Sequence, residues 1–183
     1  IIISGTGVPT TVKTLLSPED AKRTGLADCL TRVDASAAHL CLYLGFAKDH
    51  VSLELPRANW WYYPPVFDHD AVFEGFNQDP NAEFPVVYAS FPAAKDPSWP
   101  TRFPGRSTVE LITVAPFEWF ASWKDTRWHK RGAEYDDLKA SFSERLLDKL
   151  FELEPQLQGQ VDYAELSTPL STRHFCNYEK GEI

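Results

Sequence analysis

Apolar and polar positions recur along this chain in patterns that predict both strands and helices. His39–Phe46 is a nearly continuous apolar stretch, and Pro85–Phe91 and Ser107–Ala115 are rich in β-branched and aromatic residues, so each is predicted to be a strand. From 133 to 154, apolar side chains return about every four residues, which predicts a long amphipathic helix that Pro155 ends. Together these elements predict the α+β class.

Turn and capping residues mark shorter elements near the N-terminus. Ile1–Ile3, followed by Gly5 and Gly7, predicts a buried strand that turns into a helix over Thr10–Leu16. Ser17 is predicted to cap the next short helix, because Pro18 and two acidic residues follow it.

Two later regions have weaker periodicity. Asn59–Pro85 is dense in turn residues and predicts irregular structure, with a short helix over Ala71–Phe76. Pro116 is expected to begin a short helix through Trp123. The tail 161–183 is predicted to be strand or extended chain, broken at Pro169 and Gly181.

Charge and cysteine content narrow the possible functions. The chain has 183 residues and a net charge of −8, which disfavours nucleic acid as a partner. Three widely spaced cysteines form neither a disulfide framework nor a zinc pattern, so we expect an intracellular, reducing compartment. Aromatic residues make up 14% of the chain, which suits either a core or a pocket for a long apolar ligand.

Two short motifs have simple structural explanations. Gly5 and Gly7 follow an apolar run, as in a dinucleotide-binding turn, but Thr10 stands where the third glycine belongs, which favours a tight turn. Asp68-His69-Asp70 lacks further metal ligands at suitable spacing, so a capping turn is favoured over a metal site.

Three other segments carry groups that suit binding. Trp123–Arg131 holds four cations interleaved with two tryptophans, which fits either an anionic membrane surface or a solvated loop. Lys95, Asp96 and Trp99 lie in a proline-rich connection that is either a pocket wall or a series of turns. His174 has Arg173 as its neighbour, but spacing identifies no catalytic partner for it, which favours a structural histidine.

Three stretches together resemble a known family. Ser90–Phe120, Arg131–Leu157 and Ser167–Ile183 are similar to the later half of FAD-dependent oxidoreductases of the retinol saturase and carotenoid isomerase group, relatives of phytoene desaturase. The opening IIISGTGVPTTVKTLL is similar to the segment by which that family's chain returns through its flavin domain.

The resemblance implies a two-domain, amine-oxidase-like flavoprotein of which this chain is a C-terminal-half fragment. Residues 1–30 would be a return segment of the FAD domain, and residues 31–183 a substrate domain with a mixed sheet, flanking helices and an apolar tunnel. Gly5 and Gly7 would contact FAD, which other parts of the protein would mainly hold, and NAD(P)H is a candidate electron donor. The implied substrate-binding residues are Lys95, Asp96, Trp99, Arg173, His174 and Phe175.

The implied activity is saturation or cis/trans isomerisation of a conjugated polyene lipid, a retinoid or carotenoid. The cofactor would carry the redox step, and the fragment alone would be inactive. Trp123–Arg131 would make peripheral membrane contact. Two alternatives stay open: a non-catalytic lipid-binding α+β module, and a structural interaction domain whose aromatic residues all lie in the core.

Overall fold

The computed structural model describes residues 3–182 and contains a five-stranded sheet. Its strands are β1 (Ala38–Phe46), β2 (Trp60–Tyr62), β3 (Val87–Ser90), β4 (Ser107–Ala115) and β5 (Tyr163–Ser167). Their order is β2-β3-β4-β1-β5, and the pairing of each neighbour is antiparallel. The α+β class is confirmed, but the expected mixed sheet is wrong, because the connections return the chain so that neighbouring strands run in opposite directions.

Helices of very different length surround the sheet. The α-helices are α1 (Val8–Thr10), α2 (Pro18–Arg23), α3 (Leu26–Cys29), α4 (His69–Gln78), α5 (Pro92–Lys95), α6 (Trp99–Arg102), α7 (Ala133–Leu153) and α8 (Pro169–Cys176). A π-helical turn at Thr11–Leu15 continues α1, and 3-10 segments cover Phe117–Trp123 and Pro155–Leu157. The long periodic helix is confirmed as α7. In the described part of the chain, no helix combines the length and apolar character needed to cross a bilayer.

The hydrophobic core lies between α7 and one face of the sheet. β1 and β4 pair over nine residues each, from Ala38 opposite Ala115 to Phe46 opposite Ser107. Alternate residues of both strands are buried there, because side chains of a strand point to opposite faces in turn. The apolar stripe of α7 packs onto them through its buried residues Tyr135, Phe142, Leu146 and Leu150.

Capping residues fix where several helices begin. The Ser17 hydroxyl accepts a hydrogen bond from the Asp20 N–H at 3.1 Å, which confirms the predicted cap. Asp68 accepts from the Ala71 N–H at 3.0 Å and caps α4, as its capping interpretation predicted.

The C-terminal segment differs from its prediction. Pro169 does not break an extended tail but begins α8, because proline is tolerated in the first turn of a helix and Thr168 forms a capping box with Ser171. Gly181 has a positive φ of 62°, and a Cβ there would lie 2.2 Å from the Pro169 carbonyl oxygen. A residue without a side chain is therefore needed where the tail crosses the start of α8.

The N-terminal segment forms short helical elements from Val8 to Cys29. The predicted strand Ile1–Ile3 lies outside the described residues except for Ile3, which is exposed and not in regular structure. Lys13 forms an ion pair with Glu179 at 2.5 Å, which ties this segment to the C-terminal tail. The predicted domain division near residue 30 stays a prediction.

Candidate functional site

One face of the sheet is not covered by α7, and we call it the open face. Trp60 and Tyr62 of β2 point towards α7, because the Trp60 indole N–H donates to Glu154 at 2.7 Å and Lys149 lies 4.3 Å from the Tyr62 ring centroid. Trp61 lies between them and therefore points to the open face. The strand register shows which residues of β3, β4 and β1 share the open face with Trp61. They are His39, Cys41, Tyr43, Gly45, Tyr88, Ser90, Thr108, Glu110, Ile112 and Val114.

An apolar row crosses the open face. Trp61 is opposite Tyr88, Tyr88 is opposite Ile112, and Ile112 is opposite Cys41, so one side chain comes from each of four adjacent strands. The Trp61 and Tyr88 rings are 4.7 Å apart, and Trp61 is 60% exposed. With strands spaced by about 4.8 Å, the row is about 14 Å long. An extended apolar ligand fits it better than a compact one.

Two ionisable groups in and beside this row, Cys41 and Tyr43, have pKa values shifted in favour of their neutral forms. Burial raises the pKa of the Cys41 thiol to about 11, so this cysteine is not a thiolate nucleophile at neutral pH. A hydrogen bond with Cys41, together with burial, raises the pKa of Tyr43 above its usual value. Cys41 and Tyr43 therefore place no charge beside a ligand at neutral pH, but the acidic residue Glu110 lies next to the row, opposite Tyr43 and Ser90.

His39 gives the open face a polar group at one end. It lies opposite Val114, next to the apolar row, and its Nδ1 atom is buried without a hydrogen-bond partner among residues 3–182. Burial lowers the pKa of His39 from 6.5, which keeps the imidazole neutral at neutral pH. A neutral imidazole can donate one hydrogen bond and accept another, as an alcohol requires.

Three of the residues predicted to bind substrate lie beside the open face. The Lys95 ammonium donates to the Ser90 hydroxyl at 2.9 Å and also to Asn59. Trp99 donates to the Arg106 carbonyl oxygen at 2.9 Å and contacts Phe103 with ring centroids 4.7 Å apart. Trp99 also lines a cleft of about 290 Å³ whose wall includes the open-face residues Gly45 and Thr108.

Asp96 has a different local role from its neighbours. Its carboxylate accepts from the backbone N–H and the hydroxyl of Ser98 at 2.8 Å, and from Arg102 at 3.2 Å. These hydrogen bonds from Ser98 hold the pKa of Asp96 below its usual value. Asp96 therefore fixes the turn that presents Trp99 to the cleft.

The other three predicted residues form a separate group on α8. His174 stacks on Trp128 with ring centroids 5.2 Å apart and an interplanar angle of 11°, and Phe175 meets Trp128 edge-on at 5.2 Å. Arg173 precedes them on the same helix and lines a cleft next to Tyr178. The structure thus places His174 and Phe175 beside the Trp123–Arg131 loop and Arg173 in a cleft shared with the N-terminal segment, and the role of all three in substrate binding stays a prediction.

Gly5 and Gly7 do not form a complete cradle for a dinucleotide. Gly7 has a positive φ of 81°, but a Cβ there would lie 3.2 Å from Cε1 of Tyr178, so this position packs against a ring. The hydroxyls of Ser4 and Thr11 hydrogen-bond to each other at 2.6 Å. Residues 3–182 therefore do not fit a whole flavin site, and the contact of both glycines with FAD stays a prediction. The same residues contain no cluster of three or more potential metal ligands.

A larger cleft of about 590 Å³ extends from one end of the open face. Val114 borders it, and its apolar wall includes Phe73 of α4 together with Phe117 and Trp119. This volume is within the range of small-molecule sites. The cleft and the apolar row together make the open face the best candidate site in the described part of the chain.

Sequence reasoning missed the residues that form this face. Trp61, Tyr88, Ile112 and His39 come from four strands, and only the strand register shows that they share one surface. The available signal was the alternation in Ser107–Ala115, where Ile112 is an apolar residue on the face opposite the core.

Comparison with known proteins finds relatives that align with the whole chain. The chain is 28% identical over 187 residues to an all-trans-retinol 13,14-reductase of Danio rerio and 30% identical over 185 residues to that of Homo sapiens. These alignments cover 100% and 99% of the chain. The chain is homologous to all-trans-retinol 13,14-reductase over its whole length. This homology confirms the resemblance to retinol saturases.

Three further findings limit what the relatives show about this chain. The chain spans about three tenths of its relatives' length, namely 31% of the Danio rerio protein and 30% of the human one. An inactive all-trans-retinol 13,14-reductase of Danio rerio is also similar, with 29% identity over 174 residues, 93% of this chain and 29% of that protein. No protein-family model matches the chain.

Proposed function

We propose that the open face is the retinoid-binding wall of an FAD-dependent oxidoreductase that saturates a double bond of all-trans-retinol or a related polyene. The observation that carries this proposal is the apolar row of Trp61, Tyr88, Ile112 and Cys41, on a chain whose relatives are retinol reductases. Saturation is preferred over isomerisation because the relatives are reductases by name.

The open face suits both ends of a retinol molecule. The polyene chain would lie along the apolar row, where the aromatic faces of Trp61 and Tyr88 would bury it. The hydroxyl would bond to Nδ1 of His39, a buried atom that otherwise lacks a partner in the described structure. Satisfying such an atom removes a desolvation cost, so this bond favours the orientation in which the hydroxyl lies at that end.

The redox chemistry would come from the cofactor. Reduction of one carbon–carbon double bond consumes two electrons and two protons, chemistry that reduced FAD supplies when bound. Because Gly5 and Gly7 form no complete cradle, we infer that other parts of the protein mainly hold FAD, with NAD(P)H as the candidate electron source. The residues of this chain would orient the polyene and exclude water from it.

Energy transfer from tryptophan to bound retinol tests the binding wall. In the complete gene product that contains this chain, Trp61→Ala and Ile112→Ser should each weaken retinol binding about tenfold, since each removes a large apolar contact. Phe67→Ala is the matched control, because Phe67 is fully exposed and outside the open face. Equal affinity of Trp61→Ala, Ile112→Ser and the wild type would contradict the proposal.

A second candidate function is retinoid binding without catalysis. The similarity to an inactive relative favours it. The absorbance spectrum of the purified complete protein separates the two functions. A flavin spectrum and retinol-dependent formation of 13,14-dihydroretinol support the reductase, whereas retinol binding by a colourless protein supports the binding module.

A further inference from the structure

Two surface segments that are distant in sequence meet at Trp128. The loop residue Trp128 packs against both His174 and Phe175 at the end of α8, with ring centroids 5.2 Å away in both cases. Phe175 is 67% exposed and Trp128 is 38% exposed. We call the group Trp128, His129, His174 and Phe175 the aromatic patch. It places large apolar surface in solvent instead of in the core.

Unpaired cations surround the aromatic patch. Lys124, Arg127 and Lys130 are exposed, and none of their side chains has an ion-pair or hydrogen-bond partner in the described structure. Asp125 is the single acidic residue between 124 and 131. The guanidinium carbon of Arg131 instead lies 5.0 Å from the Tyr135 ring centroid. A local positive surface therefore exists on a chain with a net charge of −8.

We propose that the aromatic patch and its three cations dock on an anionic phospholipid membrane. Aromatic side chains favour the headgroup region, and Lys and Arg are attracted to anionic lipids while their stems cover apolar surface. The opposite charges of the loop and such a membrane identify the partner. Three cations and two exposed rings give weak, reversible binding, which suits a protein that visits a membrane to collect an apolar ligand.

Sedimentation with lipid vesicles tests this proposal. The complete gene product should bind vesicles of equal parts phosphatidylcholine and phosphatidylserine, but not vesicles of phosphatidylcholine alone. The triple variant Lys124→Gln, Arg127→Gln and Lys130→Gln should lower the partition coefficient by on the order of 100-fold, at about fivefold for each basic residue removed.

A second triple variant tests whether membrane binding depends on the position of the three cations or only on the net charge of the protein. Lys22→Gln, Arg32→Gln and Arg57→Gln remove the same charge from exposed positions elsewhere. We expect them to reduce binding far less. Phe175→Ser should weaken binding, whereas Phe67→Ser, at another exposed phenylalanine, should not. Circular dichroism checks that each variant is folded.

The depth of Trp128 gives an independent readout. Brominated phosphatidylcholine in the anionic vesicles should quench tryptophan fluorescence in the wild type, and much of that quenching should be lost in Trp128→Phe. Absence of vesicle binding by the wild type, or equal binding by both triple variants, would overturn the proposal. Neither result would bear on retinol binding by the open face.

Discussion

At the scale of single residues, three ionisable groups of the open face have pKa values shifted in favour of their neutral forms, and the acidic residue Glu110 lies beside them. Cys41 and Tyr43 have raised pKa values and His39 has a lowered one, so all three are uncharged at neutral pH. Contact between a charged side chain and a polyene is unfavourable, because the charged group loses its hydration water. His39 differs from the other polar residues of this face in having a buried Nδ1 atom without a hydrogen-bond partner in the described structure.

Replacing His39 tests its role as the hydroxyl anchor. His39→Leu should weaken retinol binding about tenfold, because the hydroxyl then loses its partner. The same variant should bind retinyl acetate, which has no hydroxyl to donate, as well as the wild type does. Equal losses for both ligands would show that His39 acts only through packing. Titration by tryptophan energy transfer measures both affinities.

His39 also predicts how stability depends on pH. An unfolded histidine has a pKa near 6.5, and burial lowers the value in the folded protein. The unfolded state therefore binds more protons below pH 6.5, so the free energy of unfolding decreases as the pH falls through that range. Urea unfolding between about pH 7.5 and about pH 5 should show this decrease, and His39→Gln should reduce it.

At the scale of secondary-structure elements, strong local patterns predicted the structure well. The i, i+4 repeat of Leu138, Phe142, Leu146 and Leu150 predicted α7, and the alternation in Ser107–Ala115 predicted β4 with the same bounds. Prediction failed where tertiary context decides. Pro169 has the same sequence signature as a break and as the first residue of a helix, and only the partners of Thr168 distinguish the two.

Truncating the central residue of α7 should be costly. Phe142 is 1% exposed and its ring stacks on Trp119 with centroids 5.7 Å apart, next to Phe84 and Phe120. Phe142→Ala should lower the free energy of unfolding by about 3–5 kcal/mol because it leaves a cavity. Phe67→Ala, at a fully exposed position, should change it by less than about 0.5 kcal/mol in the same urea titration.

A pair of glycines separates backbone strain from a steric clash. Gly181 and Gly105 have similar positive φ values of 62° and 67°, but a Cβ at Gly105 has no atom within 4 Å. Gly105→Ala should cost about 1–2 kcal/mol from φ alone. Gly181→Ala should cost clearly more, because its Cβ also meets the Pro169 carbonyl. Equal losses of thermal stability would argue against the tight crossing.

At the scale of the whole molecule, the two faces of the sheet have different partners. The side chains facing α7 form the core, and those on the open face share their surface with two clefts. The family resemblance was readable from the sequence because it rests on contiguous stretches. The open face was not readable, because its residues lie on strands that are ordered β2-β3-β4-β1 in space and joined by long connections.

The small size of β2 and β5 has a consequence for association. The edge strands of the sheet are short, since β2 has three residues and β5 has five. Each edge therefore presents few unpaired backbone N–H and C=O groups. The Trp60 bond to Glu154 and the ion pair between Lys139 and Glu165 tie these edges to α7. Short edge strands that are tied to α7 offer few sites at which a strand of another molecule can pair. The short edge strands therefore disfavour fibril formation, although the open face with Trp61 and Tyr88 is not covered by α7.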